Sequence, residues 1–142
     1  MPSTRTLAII KPDAFGAHKG GLILAHLEHA GFRIVAARVT RLTKPQAEKF
    51  YAVHEGRAFY PELVAFMTSG ACMPLVLEHE HAVAALRETI GATDPAEAAP
   101  GTVRKRYAES KGRNAIHASD SEENALREIH FFFPDVVEQE SQ

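Results

Sequence analysis

The chain has 142 residues, 45% of them apolar and 24% charged, with a formal net charge of −2 and one cysteine, Cys72. That length suits a single domain over residues 1–142, able to bury about two-thirds of the surface its unfolded chain exposes. The charge balance excludes a general attraction to nucleic acid or an anionic membrane, and the lone cysteine excludes an internal disulfide and points to a reducing compartment.

Arg5 to Ile10 is a short apolar run ended by Lys11-Pro12-Asp13, which predicts a strand and a turn. Its apolar part is too short for a signal peptide or a membrane span, so a cytoplasmic location is expected. Gly20-Gly21 leads into Leu22, Ile23, Leu27 and Ala30 at helical spacing, with Gly31 where a C-terminal cap wants it. Phe32, Ile34 and Ala36 alternate, predicting a second strand towards Leu42. Thr43-Lys44-Pro45-Gln46 opens a helix with a cap, an early proline and a glutamine at the box position. Pro61 opens another through Val64 and Met67, ended by Gly70. Ala71 to Leu77 reads as a third strand, His81 to Ile90 as a helix stopped by Gly91, and Ala92 to Gly101 as loop. Thr102 caps one or two helical turns. Ser119 with Glu122, and Asp120 with Glu123, have capping-box spacing before a helix through Ala125 to Ile129. Phe131-Phe132-Phe133 then reads as a buried strand or its end. The acidic, polar residues 134–142 are expected to be an exposed extension. Four strands interleaved with helices in this order suit a ferredoxin-like split β-α-β fold, an α/β sandwich with an antiparallel sheet and helices on one face.

The segment Asn114 to Asp120 carries most of the chemistry. It sets a histidine, His117, in a short polar connection, with an amide three residues before it and a helix start just after. A helix N-terminus favours negative charge, and a neutral imidazole there could attack phosphorus and carry a phosphoryl group. Lys11, at the end of a strand, and Arg87 and Arg104, near helix ends, are the cations suited to phosphate oxygens. Taken one at a time, each of these three also reads as an ordinary solvated or dipole-complementing charge. Thr93 and Asn114 are polar loop residues, and Phe59 stands in a connection before Pro61. No glycine-rich phosphate loop ending in Gly-Lys-Ser/Thr is present, and no kinase-type glycine loop. His26/His29 and His79/His81 read as solvent-facing positions rather than metal ligands.

These residues resemble the nucleoside diphosphate kinases. The family's signature around its active histidine is Asn-x-x-His, then Gly or Ala, then Ser-Asp, and Asn114 to Asp120 matches it. The likeness extends through Thr6 to Ala14, Phe50 to His54, Met67 to Gly70, Gly91 to Pro95 and Pro100 to Arg104, in order. It implies a ferredoxin-like fold and reversible γ-phosphate transfer from nucleoside triphosphates to diphosphates, by a ping-pong route through a phosphohistidine on Nδ1 of His117. It implies that Glu128 bonds the other ring nitrogen, with Ser119 nearby. Lys11, Tyr51, Arg87, Thr93 and Arg104 would hold phosphates, Lys11 and Asn114 would reach the ribose 3′-hydroxyl, and Phe59 would stack on any base. Mg²⁺ would arrive on the nucleotide, with no dedicated protein cage. A homo-oligomer is implied, a tetramer favoured over a dimer or hexamer.

Ala118 stands where glycine is commoner, Ala58 and Ala71 where proline is frequent, and Lys111 where an apolar residue often covers the base. Lys105-Arg106 adds charge after Arg104, and Lys19, Gly20 and Leu22 alter the start of the first long helix, a region often near subunit contacts. Two other functions use the same residues, a non-enzymatic nucleotide-binding module and a protein-histidine phosphotransfer partner. The module gives no reason for His117, Glu128 and the three cations to occur together, and the phosphotransfer partner would need another protein, not a nucleoside diphosphate, to accept its phosphate.

Overall fold

The computed structural model describes residues 4–136. Strand β1 (Arg5–Ile10) is followed by α1 (Pro12–Gly16), α2 (Gly20–His29), β2 (Arg33–Ala37) and α3 (Lys44–Phe50). A 3₁₀ turn (Ala52–His54), α4 (Tyr60–Met67), β3 (Met73–Glu78), α5 (Ala82–Ile90) and α6 (Val103–Tyr107) come next. The chain then forms β4 (Ile116–Ala118) and α7 (Glu122–Phe132). The strands make one antiparallel sheet in the order β2-β3-β1-β4, the expected ferredoxin-like arrangement.

Side chains of β1 alternate between two cores. Ala8 and Ile10 pack with Ile23, Leu27, Leu86, Ile90 and Val103 of α2, α5 and α6. Leu7 and Ile9 pack with Ala47, Phe50, Val64, Met67, Ile129 and Phe132 of α3, α4 and α7. Helices therefore cover both faces, not one. A central strand buried on both sides is apolar throughout, which is why β1 shows no alternation in its sequence.

Local punctuation reads well. Thr43 and Gln46 form the reciprocal capping box, Thr102 caps α6 through the Lys105 N–H, and Gly31 and Gly91 follow their helices at φ +98° and +88°.

Elsewhere the structure corrects the reading. Lys11-Pro12-Asp13 is not a plain turn, because Pro12, with its φ preset, begins the short α1. Strand β2 ends at Ala37 after a register shift between Ile34 and Ala36, and only an isolated bridge, Thr40 to Cys72, continues towards Leu42. Strand β3 starts at Met73 rather than Ala71. Phe131 and Phe132 close α7 and Phe133 caps it, so the fourth strand is not there but at Ile116–Ala118. The α7 cap is neither Ser119 nor Asp120. Ser121 accepts the Asn124 N–H at 3.1 Å, because Ser119 is buried and engaged elsewhere. Of the expected C-terminal extension, Pro134 and Asp135 are exposed and Val136 packs half-buried against the second core; residues 137–142 lie outside the described residues.

Candidate functional site

His117 sits at the middle of β4, opposite Ile9 of β1. Its neighbours Ile116 and Ala118 point into the first core, so strand alternation turns His117 the other way, towards α3 and α7. There the ring meets Phe50 edge-on at 5.5 Å and Tyr51 at 6.2 Å. Its Nε2 lies 2.7 Å from Oε1 of Glu128, which α7 presents. An ionised carboxylate only accepts, so in the neutral ring Nε2 carries the proton and Nδ1 keeps its lone pair. Ser119 Oγ donates to the same Glu128 oxygen at 2.8 Å, and Arg127 Nη2 stands 3.5 Å from the other. The His117 side chain is only 18% exposed.

The entry to β4 is a tight turn. Ile116 N–H donates to Asn114 O at 2.8 Å, and Ala115 between them has φ +73°, the signature of the rare, strained γ-turn. Arg104 anchors it: Nε donates to Asn114 O at 3.3 Å, Nη2 to Ile116 O at 2.7 Å and Nη1 to Gly91 O at 3.1 Å. The guanidinium has five N–H donors, so this leaves two for a ligand. Lys11 Nζ donates to Asn114 Oδ1 at 2.9 Å, and the Asn114 amide reaches Thr93 O at 3.4 Å.

Three cations crowd together here. Burial and then Arg104 lower the Lys11 ammonium, against the opposing influence of Asp13, to about 8. Burial also lowers Arg104 to about 10, with Arg87 as the second cause. Lys11, Arg104 and Arg87 thus repel one another in sequence, an arrangement that suits a polyanionic ligand. Arg87 also influences Asp120, which follows Ser119, so the cations border the His117 strand. Lys105 and Arg106 are exposed, and Arg106 lies over the Tyr107 ring at 5.6 Å rather than with this group.

Tyr51 is buried beside His117. Burial and then Glu128 raise its hydroxyl well above the usual tyrosine value, and that hydroxyl has no hydrogen-bond partner among the described residues. His54 stacks on Tyr51 at 6.3 Å and meets Phe59 at 5.2 Å. Phe59 is 47% exposed at the end of this row of rings. The expected site residues are linked to one another by a bond, a ring contact or a charge interaction, except Phe59, which reaches Tyr51 only through His54. The sequence reading missed Asp13, whose Oδ2 accepts the Ala115 N–H at 3.0 Å. Among the described residues no group of three or more His, Cys, Asp or Glu side chains is placed to hold a metal ion, and no helix is long and apolar enough to cross a membrane.

The sequence model of the family described as Nucleoside diphosphate kinase matches residues 4–137. The chain is 60% identical over 129 residues to the nucleoside diphosphate kinase of Chlorobium chlorochromatii, covering 91% of this chain and 92% of that one. Among solved structures, the Aquifex aeolicus nucleoside diphosphate kinase superposes with a TM-score of 0.89 at 48% identity, covering 91% of this chain and 94% of that one. The Halobacterium salinarum enzyme, solved in complex with CDP, gives 0.88 at 39% identity, with coverage of 93% and 88%. Matches of this length, on a sheet of this order, show that the chain belongs to the nucleoside diphosphate kinase family.

Proposed function

We propose that this chain is a catalytically competent nucleoside diphosphate kinase that moves the γ-phosphate of a nucleoside triphosphate onto a nucleoside diphosphate through His117. The observation that carries the reading is the 2.7 Å bond between His117 Nε2 and Glu128, which leaves Nδ1 as the free nucleophile. Nδ1 attacks the γ-phosphorus in line, the bond from phosphorus to the β-phosphate oxygen breaks, and the diphosphate departs with that electron pair. The ring gains positive charge as the N–P bond forms. Glu128, steadied by Ser119 and Arg127, stabilises that charge without taking the proton. A second nucleoside diphosphate then attacks the phosphoramidate and the steps reverse.

In this reading Lys11, Arg87 and Arg104 hold the phosphates and stabilise the charge spread over the transferring group, assisted by Thr93 and the Tyr51 hydroxyl. Lys11 and Asn114 reach the ribose 3′-hydroxyl. Phe59 stacks on the base, and an aromatic face accepts all bases where edge hydrogen bonds would select one. The substrate is the Mg²⁺–nucleotide, with the ion carried on the phosphates. A site lined by three cations suits an ion that enters already surrounded by phosphate charge. We further infer a single domain over residues 1–142, a cytoplasmic location, and a homo-oligomer with a tetramer favoured. The exposed Leu22 and Val39, on α2 and just beyond the edge strand β2, support assembly, and light scattering on the purified protein reads its size.

Terminally labelled ATP tests the reaction. The native chain should take up label that is stable in alkali and lost in acid, then surrender it to any added nucleoside diphosphate. His117→Ala should take up none. Label retained by that variant, or released only to another protein, would refute the assignment.

A further inference from the structure

The Ala115 peptide joins the Asn114 side chain to the strand that bears His117, in a conformation that a residue with a Cβ avoids. Its carbonyl is held by the Lys11 N–H at 2.8 Å, and Arg104 takes the carbonyls on either side. Its own N–H is held by one group, the carboxylate of Asp13, 102 positions earlier in the chain. Asp13 is 8% exposed, and its second oxygen, Oδ1, is buried with no hydrogen-bond partner among the described residues. A half-satisfied buried carboxylate is costly, and such groups persist where position matters. Charge balance alone does not explain it. Asp13 is the smallest of the three influences on Lys11, behind burial and Arg104.

We propose that Asp13 is a positioning residue of the transfer reaction: by clamping the Ala115 N–H it fixes the strained turn that presents the Asn114 amide, and the Lys11 ammonium 2.9 Å from it, to the nucleotide's 3′-hydroxyl. This rests on the reading above that Lys11 and Asn114 meet that hydroxyl. Without the clamp the turn relaxes to φ below zero, and the amide swings off its line. Asp13 itself touches no substrate.

The test compares kcat/KM for a nucleoside diphosphate and its 3′-deoxy counterpart. The native chain should prefer the hydroxylated substrate, since a site built to bond a hydroxyl rejects an analogue lacking it. Asp13→Ala should lose about tenfold or more of that preference, the scale of one hydrogen bond, and approach Asn114→Ala, while the 3′-deoxy substrate slows far less. Asp13→Leu, of similar size with no acceptor, replaces the alanine variant if that one does not fold. Asp13→Asn keeps an oxygen for the Ala115 N–H and should keep the preference, even with a lower Tm. Adding Ala115→Gly to Asp13→Ala should restore part of it, because glycine adopts φ +73° without strain.

If Asp13→Ala slows both substrates alike, or if Asp13→Asn loses the preference as fully as alanine does, the proposal is overturned while the ribose contact stands. A preference untouched in Asn114→Ala overturns the ribose contact itself, and the proposal with it.

Discussion

Lys11 carries its charge in a place that disfavours charge. With its ammonium lowered to about 8, the free enzyme loses that cation as pH rises through this value. The kcat/KM profile should therefore show an alkaline limb near pH 8, and the limb in kcat should lie higher, because bound phosphate favours the charged form. Lys11→Arg should move the limb upward; a limb unmoved by that change would assign it to another group. Folding responds in the opposite sense. Between about 8 and the ordinary lysine value of 10.5 the unfolded chain binds more protons, so stability rises with pH across that interval.

Arg104 is both a phosphate candidate and the anchor of the turn. Arg104→Gln should lower kcat, and should also lower stability by about 1–3 kcal/mol as buried carbonyls lose their donor. Lys105→Gln and Arg106→Gln should change both by little. Equal losses at Lys105 would move the phosphate site along the segment. At this scale the motif pointed to His117, Asn114, Glu128 and the cations as candidates, and the fold sets them beside one another. Asp13 was not legible, because its part lies in accepting one N–H from across the fold, and neither its type nor its neighbours signal that.

Among the elements, Gly91 lies where the end of α5 meets the Thr102 cap of α6. Gly91 has φ +88°, and a Cβ there would come within 2.7 Å of Thr102 Oγ1 and 2.8 Å of Thr102 Cβ. Gly91→Ala should cost about 2 kcal/mol or more, from backbone strain together with the clash. It should depress kcat as well, since the Gly91 carbonyl holds Arg104 and Thr102 caps the helix that carries it. Calorimetry and steady-state rates check the two effects, and an alanine variant with native Tm would show that this junction yields.

Although α1 and the Ser121 cap of α7 were missed, most helix starts and stops were readable because caps act within four residues of their own position. Strand β4 was not. Three residues are too few for a periodic signal, and its identity comes from pairing with β1, over 100 positions away. The run Phe131 to Phe133 misled for a related reason: a short aromatic stretch does not separate a buried helix end from a strand. Ser119 has the composition of a cap, but its hydroxyl is drawn to Glu128.

Over the whole molecule, the sheet holds His117, the proposed nucleophile, while its two helical layers bring in the rest of the candidate site. The layer of α3 and α7 supplies Tyr51 and Glu128, and the layer of α5 and α6 supplies Arg87 and Arg104. A split β-α-β order with four strands could be read from the alternation of elements, the last strand misplaced at Phe131 to Phe133. That both faces are covered could not, since it depends on which helix crosses to which side. The assembled site gathers Lys11, Arg104 and Arg87, and Asp13 offsets their repulsion only in part at Lys11. ADP should therefore raise Tm even without added Mg²⁺, by the equivalent of about 2.7 kcal/mol at one hundred times its Kd. At the same ADP concentration Lys11→Gln should shrink the increment, and an increment unchanged in that variant would remove Lys11 from the phosphate site.

The repulsion among Lys11, Arg104 and Arg87 also bears on proteolysis. A ligand that relieves it and binds only the folded chain should stabilise that chain increasingly as its concentration rises. Added nucleotide should therefore slow proteolysis of the native chain and should protect Lys11→Gln less.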